Sequence, residues 1–141
     1  LPVLRRNDER EHERRAIRVA LLAELKINRD ALQKNLDEKN GTKGALVLTD
    51  RMDGAYLAFL PRIGVLSEDE VNKVMLAYLT LLTYNANLFF IGTPDTTSPR
   101  HVRVPPDEVN WLMRIQKNLL EPIDQAINVL EKGQKRKGVT H

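Results

Sequence analysis

The sequence predicts an all-α protein, an irregular antiparallel helix bundle of three long helices and one short helix with the first helix extended. Three observations carry that expectation. Apolar residues recur every three to four positions along most of the chain. The breaks between those stretches hold the capping residues, glycines and prolines that start and stop helices. Runs of β-branched apolar residues that would build a sheet are absent. At 141 residues the chain is one domain's worth, long enough to bury a core without covalent staples.

The first helix is expected to start near Asn7 or Asp8 and to run to about Lys39, where Asn40-Gly41 supplies a left-handed stop. Such a helix spans on the order of 45 Å. Within it, "AIRVALLAELKINRDAL" (16–32) places Ile17, Leu21, Leu25 and Leu32 on one face, and Asn28 takes the step between the last two. Its first half has no apolar stripe before Ala16, so it projects as a stalk or needs a partner. The run Ala45-Leu46-Val47-Leu48 reads as a buried loop, because a lone short strand has nothing to pair with. Thr49 or Asp50 then caps a short helix with Met52, Tyr56, Phe59 and Leu60 on one side, ended by Pro61 and Gly64.

"SEDE" at 67–70 matches a capping box, Ser67 with Glu70, flanked by Leu66 and Val71 in the positions of a hydrophobic staple. The third helix carries Val71, Val74, Met75, Tyr78, Leu81, Leu82, Asn85, Leu88 and Phe89 on its apolar face and stops at Gly92. The connection "GTPDTTSPRHVRVPP" (92–106) is long for a compact domain, and such loops tend to be functional or mobile. A fourth helix opens at Pro106-Asp107-Glu108, with acids in its first turn. Its stripe is Val109, Leu112, Ile115, Leu119, Ile123, Ala126, Ile127 and Leu130. Pro122 is expected to kink it near 118–122, and Gly133 to end it. The chain therefore divides into a charged, juxtamembrane-like helical lead-in (1–15), one bundle domain (16–132) and a flexible basic tail (133–141).

The asparagines on apolar faces, Asn28 and Asn85, with Asn35 one heptad beyond Asn28, read as a polar core that fixes helix register. A buried amide of this kind usually finds its partners inside the fold. Replacing Asn28 with leucine is then expected to leave the domain folded or more stable.

Net charge is +3, with 22 Lys+Arg against 19 Asp+Glu. Four of those cations, Lys132, Lys135, Arg136 and Lys137, lie in the last ten residues, and without them the chain is at about −1, unlike a DNA-binding domain with a basic face. Nucleic acid is therefore not expected as a partner: phosphate contact by the tail alone would be weak and salt-dependent, and the seven aromatic residues sit mostly at core spacing rather than among cations. The absence of cysteine excludes disulfides and thiol chemistry.

The chain begins Leu1-Pro2-Val3-Leu4, with no initiator Met, and no apolar run long enough to span a bilayer is evident in it. The following stretch carries Arg5, Arg6, Arg10, Arg14, Arg15 and Arg18. After an upstream spanning helix, that excess would hold the domain on the cytoplasmic face of a membrane. It would otherwise be a solvated helix start with ion pairs such as Glu11 to Arg15.

Catalytic motifs are not found. There is no Gly-x-Ser-x-Gly and no Ser/His/Asp constellation, and "GTKG" at 41–44 lacks Walker spacing. Glu9-x-x-His12 has the spacing of a carboxylate-bridged metal bundle but neither a second copy nor apolar surroundings, so no metal and no cofactor is expected. Arg100, His101 and Arg103, near Asp95, could receive a phosphate or carboxylate if "RHVRV" lies extended with its cations on one side. Trp111, beside the apolar stripe of the fourth helix, is a core or interface anchor. With Arg10 and Arg14 it makes up the expected partner interface.

"LLAEL-x-x-N" at 21–28, followed by "L-x-x-IG-x-L-x-x-E-x-V" carried by Leu60, Ile63, Gly64, Leu66, Glu68 or Glu70 and Val71, resembles a loose group of uncharacterised bacterial proteins. These have one N-terminal membrane-spanning helix and a small helical domain. The resemblance covers roughly residues 16–85, and it implies an anchor upstream of Leu1 and no activity. The function expected is non-enzymatic: a membrane-tethered helical domain acting by association with a protein partner or with itself. The alternative is a bundle that binds a small anion or nucleic acid through the 92–106 loop and the basic tail.

Overall fold

The computed structural model describes residues 2–37, 45–48, 53–94 and 101–139. The Asn40-Gly41 stop, the Thr49 or Asp50 cap, Met52, Asp95 and Arg100 lie outside the described residues, as do the side chains of Asn35, His101, Arg136 and Lys137.

The fold is an all-α bundle. Its long helices are α1 (Pro2–Asp37), α3 (Glu68–Ile91) and α4 (Pro106–Val139). The short α2 (Gly54–Phe59) continues directly into a 3-10 turn, Leu60–Val65. Arg18 meets Glu70 and Glu24 meets Tyr78, so α1 and α3 run parallel. Lys26 pairs with Glu131 at 3.3 Å and Arg29 with Asp124 at 3.7 Å, so α4 runs antiparallel to α1.

Two parallel helices need a return path, and α2 with its 3-10 turn supplies it. The segment walks back along α1, with Tyr56 at Glu24, Arg62 at Glu13 (3.4 Å) and the Val65 carbonyl at Arg14 (2.6 Å). The structure bears out the capping box. The Glu70 N–H donates to the Ser67 hydroxyl at 3.2 Å, and the Ser67 N–H donates to the Glu70 carboxylate at 3.1 Å. Leu66 is buried and Val71 half-buried beside it, as a staple requires.

Residues 45–48 are a strand rather than a loop. β1 (Ala45–Leu48) and β2 (Thr93–Pro94) flank β3 (His101–Val104) in an antiparallel sheet of order β1-β3-β2. Ala45 is opposite Val104 and Thr93 opposite Arg103. The partner strand lies inside the long connection, where Val102 and Val104 alternate into the core and Arg103 is exposed. Gly92 makes the turn into β2 at a point where a Cβ would collide with Val102 and stand 3.0 Å from the Leu88 carbonyl.

The core draws Ile17, Leu21, Leu25 and Leu32 from α1, Val74, Ala77, Tyr78, Leu81, Tyr84 and Leu88 from α3, and Leu112, Leu119, Ile123, Ala126, Ile127 and Leu130 from α4. Each large apolar side chain among these, fully buried, contributes about 1.5–3 kcal/mol of transfer free energy. α1 starts earlier than expected, at Pro2, where a missing N–H costs nothing. α4 runs through Pro122 and on past Gly133 to Val139, so the tail expected from 133 is helical over most of its length. Met75 and Phe89, expected on the inner face of α3, are exposed.

Candidate functional site

Three polar clusters interrupt the core, and each is held by named elements. The first is Glu24, 5% exposed on the inner face of α1. Its carboxylate accepts from the N–H groups of Ala55 (2.7 Å) and Tyr56 (3.1 Å) and from the Tyr78 hydroxyl (2.7 Å). Asp53, at the cap position of α2, makes no side-chain cap bond, so α1 provides the capping carboxylate from a distance. Tyr56 and Tyr78 stack above it, centroids 4.1 Å apart. Burial pushes both phenols above their ordinary value, and at Tyr78 the adjacent Glu24 pushes further.

The second cluster joins α1 to α3. Arg18 and Glu70 form a two-pronged ion pair, Nε to Oε2 at 2.7 Å and Nη2 to Oε1 at 2.9 Å, with side chains 11% and 3% exposed. Burial alone would raise the Glu70 carboxyl. The Arg18 guanidinium and Ser67 outweigh it and hold the group below the ordinary carboxylate value. The same bond raises Arg18. Gly133 lies directly on this pair, and a Cβ there would stand 2.7 Å from both Arg18 Nε and Glu70 Oε2. Glu70, Lys73, Gln125 and Lys132 line part of a groove of about 580 Å³. Its ionised pair is mutually satisfied and held in the charged state on both sides, which suits cross-linking and not proton transfer near neutrality.

The third cluster is Gln116, fully buried on α4, whose Nε2 donates to the Tyr84 hydroxyl at 2.5 Å. Its Oε1 is buried with no hydrogen-bond partner. Burial pushes the Tyr84 phenol up to about 12, against the lowering effect of the Gln116 bond. Asn28 and Asn85 are also buried, and the pairing of 18 with 70 and of 24 with 78 sets them at levels along α1 and α3 within about a turn of each other.

Of the expected partner residues, Arg10 and Trp111 are exposed. Arg14 is engaged within the fold, to the Val65 carbonyl and to Glu11 at 2.5 Å, an i, i+3 pair where Glu11 to Arg15 was expected. Arg18 likewise leaves the arginine cluster for Glu70. Arg103 points outward from β3. No group of histidines and carboxylates that could hold a metal is found among the described residues.

The surface that stands out is the outer face of α3. From Val74 to Pro94 the chain has no charged side chain. Only one side of that stretch faces the bundle. Met75, Leu76, Leu79, Phe89 and Phe90 are exposed, Phe90 at 91%. Thr80 and Thr83 turn their hydroxyls back onto the carbonyls of Leu76 (2.5 Å) and Leu79 (2.9 Å). That leaves methyl groups to the surroundings. By length and composition α3 is long and apolar enough to cross a membrane, which corrects the expectation that no such run exists. It is nevertheless packed along its inner side as the core helix, with Glu70 ion-paired in its first turn.

No family model, curated protein or solved structure matches the chain.

Proposed function

We propose that this protein is a non-enzymatic helical interaction domain acting by protein–protein association, with the outer face of α3 as its contact surface. The observation that carries the reading is the uncharged run from Val74 to Pro94, whose outward side exposes five large apolar side chains. A helix that is apolar all round normally has neighbours on every side, and contiguous exposed apolar surface on this scale marks interaction sites. Attachment to the cytoplasmic face of a membrane, through a segment upstream of residue 1, belongs to the same proposal. Its support is the arginine-rich start of α1, where Arg6, Arg10 and Arg15 are exposed ahead of Ile17, the first core residue among those described.

Photo-crosslinking in the native cell tests the contact surface. A photoreactive residue at Leu79 or Phe90 is expected to give covalent adducts to protein, and one at the exposed α4 position Lys117 to give none. Equal labelling from all three positions, or none from the first two, rejects the reading.

A further inference from the structure

Resting on that reading, we infer that the occupant of the outer face of α3 is a second copy of this chain, packed antiparallel about a two-fold axis near Thr83. The exposed stripe follows a seven-residue repeat. Asn72, Leu79 and Ala86 form one line, and the pairs Met75-Leu76, Leu82-Thr83 and Phe89-Phe90 form the other, with Leu82 half-buried. A seven-residue repeat is the pattern by which one helix keeps a continuous seam against another. It extends over about 27 Å, from residue 72 to residue 90.

The order of side-chain sizes selects the orientation. In an antiparallel pair centred midway between Leu82 and Thr83, Leu79 lies opposite the small Ala86 of the other copy, and Met75-Leu76 lies opposite Phe89-Phe90. Bulk on one chain then meets a gap on the other, and the thioether end of each chain meets the aromatic end of its partner. A parallel pair would set Leu79 against Leu79 and Phe90 against Phe90, leaving the level of Ala86 empty. An isologous contact requires the self-complementarity that the antiparallel arrangement has.

The area fits a dimer. The five large side chains alone leave roughly 550 Å² of apolar surface per copy, against about 800 Å² per partner in a standard interface, before any rim is counted. A lipid surface fits less well. Helices that lie in a bilayer interface are rich in Lys and Arg on the polar face, whereas Lys73 is the one cation of α3 and three acids, Glu68, Asp69 and Glu70, precede it.

Sedimentation equilibrium of the purified full chain, with single-cysteine variants, tests the inference. The chain has no cysteine of its own, so each introduced thiol reports alone. The expected results are a concentration-dependent dimer, a Thr83→Cys chain that oxidises to a disulfide-linked dimer, and a mixture of Leu79→Cys with Ala86→Cys that crosslinks to each other faster than either does to itself. Leu79→Glu, more than half exposed in the free chain, should give a monomer with unchanged helix content. Preferential Leu79→Cys self-crosslinking overturns the antiparallel arrangement, and a dimer indifferent to Leu79→Glu overturns the surface. A chain that stays monomeric at every concentration overturns self-association. If photo-adducts of some other mass persist in cells, the association reading survives that result; if a monomeric chain binds phosphatidylcholine vesicles through Phe90, both fall.

Discussion

A carboxylate on the apolar face of a core helix is costly unless its lone pairs are used. Glu24 uses both oxygens, one on Ala55 and the other on Tyr56 and Tyr78, and so ties α1 to the start of α2 and to the middle of α3. Glu24→Gln keeps the shape but turns an amide N–H toward a backbone N–H. The expected loss is about 2 kcal/mol, within the range for disrupting hydrogen bonds to a buried charged group. Glu24→Ala should cost more, about 3 kcal/mol, and Tyr78→Phe only about 1 kcal/mol, since it removes a single bond. Denaturant midpoints at constant m-value measure the series, and a Glu24→Gln midpoint equal to the native one would show that the carboxylate does not carry the α2 cap. In the sequence Glu24 is visible only as a polar residue between Leu21 and Asn28 on the buried face. Asn28 raises the same question, and it is indeed buried. Gln116 leaves the same trace, at three- to four-residue spacing from Leu112 and Leu119. Periodicity shows that a polar group is inside, but its partners come from elements more than 30 residues away.

At the scale of elements, the glycines separate local signals from distant ones. Gly133 reads as a helix stop because glycine ends helices so often. It lies inside α4 at a point where a Cβ would come within 2.7 Å of Arg18 Nε and Glu70 Oε2, so that any side chain there must displace the buried pair. Helix propensity favours Gly133→Ala by about 1 kcal/mol. The clash with the ion pair should reverse that sign and leave a net loss of roughly 1–2 kcal/mol. Gly64, where a Cβ would meet nothing within 4 Å, is the control, and Gly64→Ala should be neutral or slightly stabilising. Thermal midpoints decide it: equal shifts for the two variants would mean that α4 does not approach as closely as described. The capping box at Ser67 is legible in the sequence because all its parts lie within four residues. The sheet is not, because β1 and β3 are four residues each and more than 50 apart, so neither looks like a strand until the other is beside it. The exposed face of α3 escapes the sequence for a related reason: its residues are as apolar as the core, so the stripe does not show which side is in.

For the whole molecule, the buried ionisable groups set opposite limits on the stable pH range. Glu70 titrates below the ordinary carboxylate value of 4.5 in the folded chain. Its contribution is therefore fully present above the unfolded value and is lost as pH falls through the lower folded one. Tyr56, Tyr78 and Tyr84 are raised above 10.0, Tyr84 to about 12. The folded chain holds their protons after the unfolded chain has released them, so stability is complete below about 10 and falls as pH rises through the folded values. Net charge would give a different picture, because a protein of pI near 9.3 repels itself least in the range where the tyrosines begin to oppose folding. The expected curve is a plateau across neutral pH with an acid limb that belongs partly to Glu70 and an alkaline limb that belongs to the phenols. Glu70→Gln should lower the plateau by about 3 kcal/mol, since it leaves Arg18 buried without its counter-charge, and should flatten the acid limb while leaving the alkaline one in place. Tyrosinate absorbance should rise together with loss of helix signal, because the phenols ionise only once α3 has parted from α1 and α4. If the absorbance rises at about pH 10, the ordinary phenol value, with the helices intact, the tyrosines are not enclosed as the structure has them, and the alkaline limb must come from charge repulsion instead.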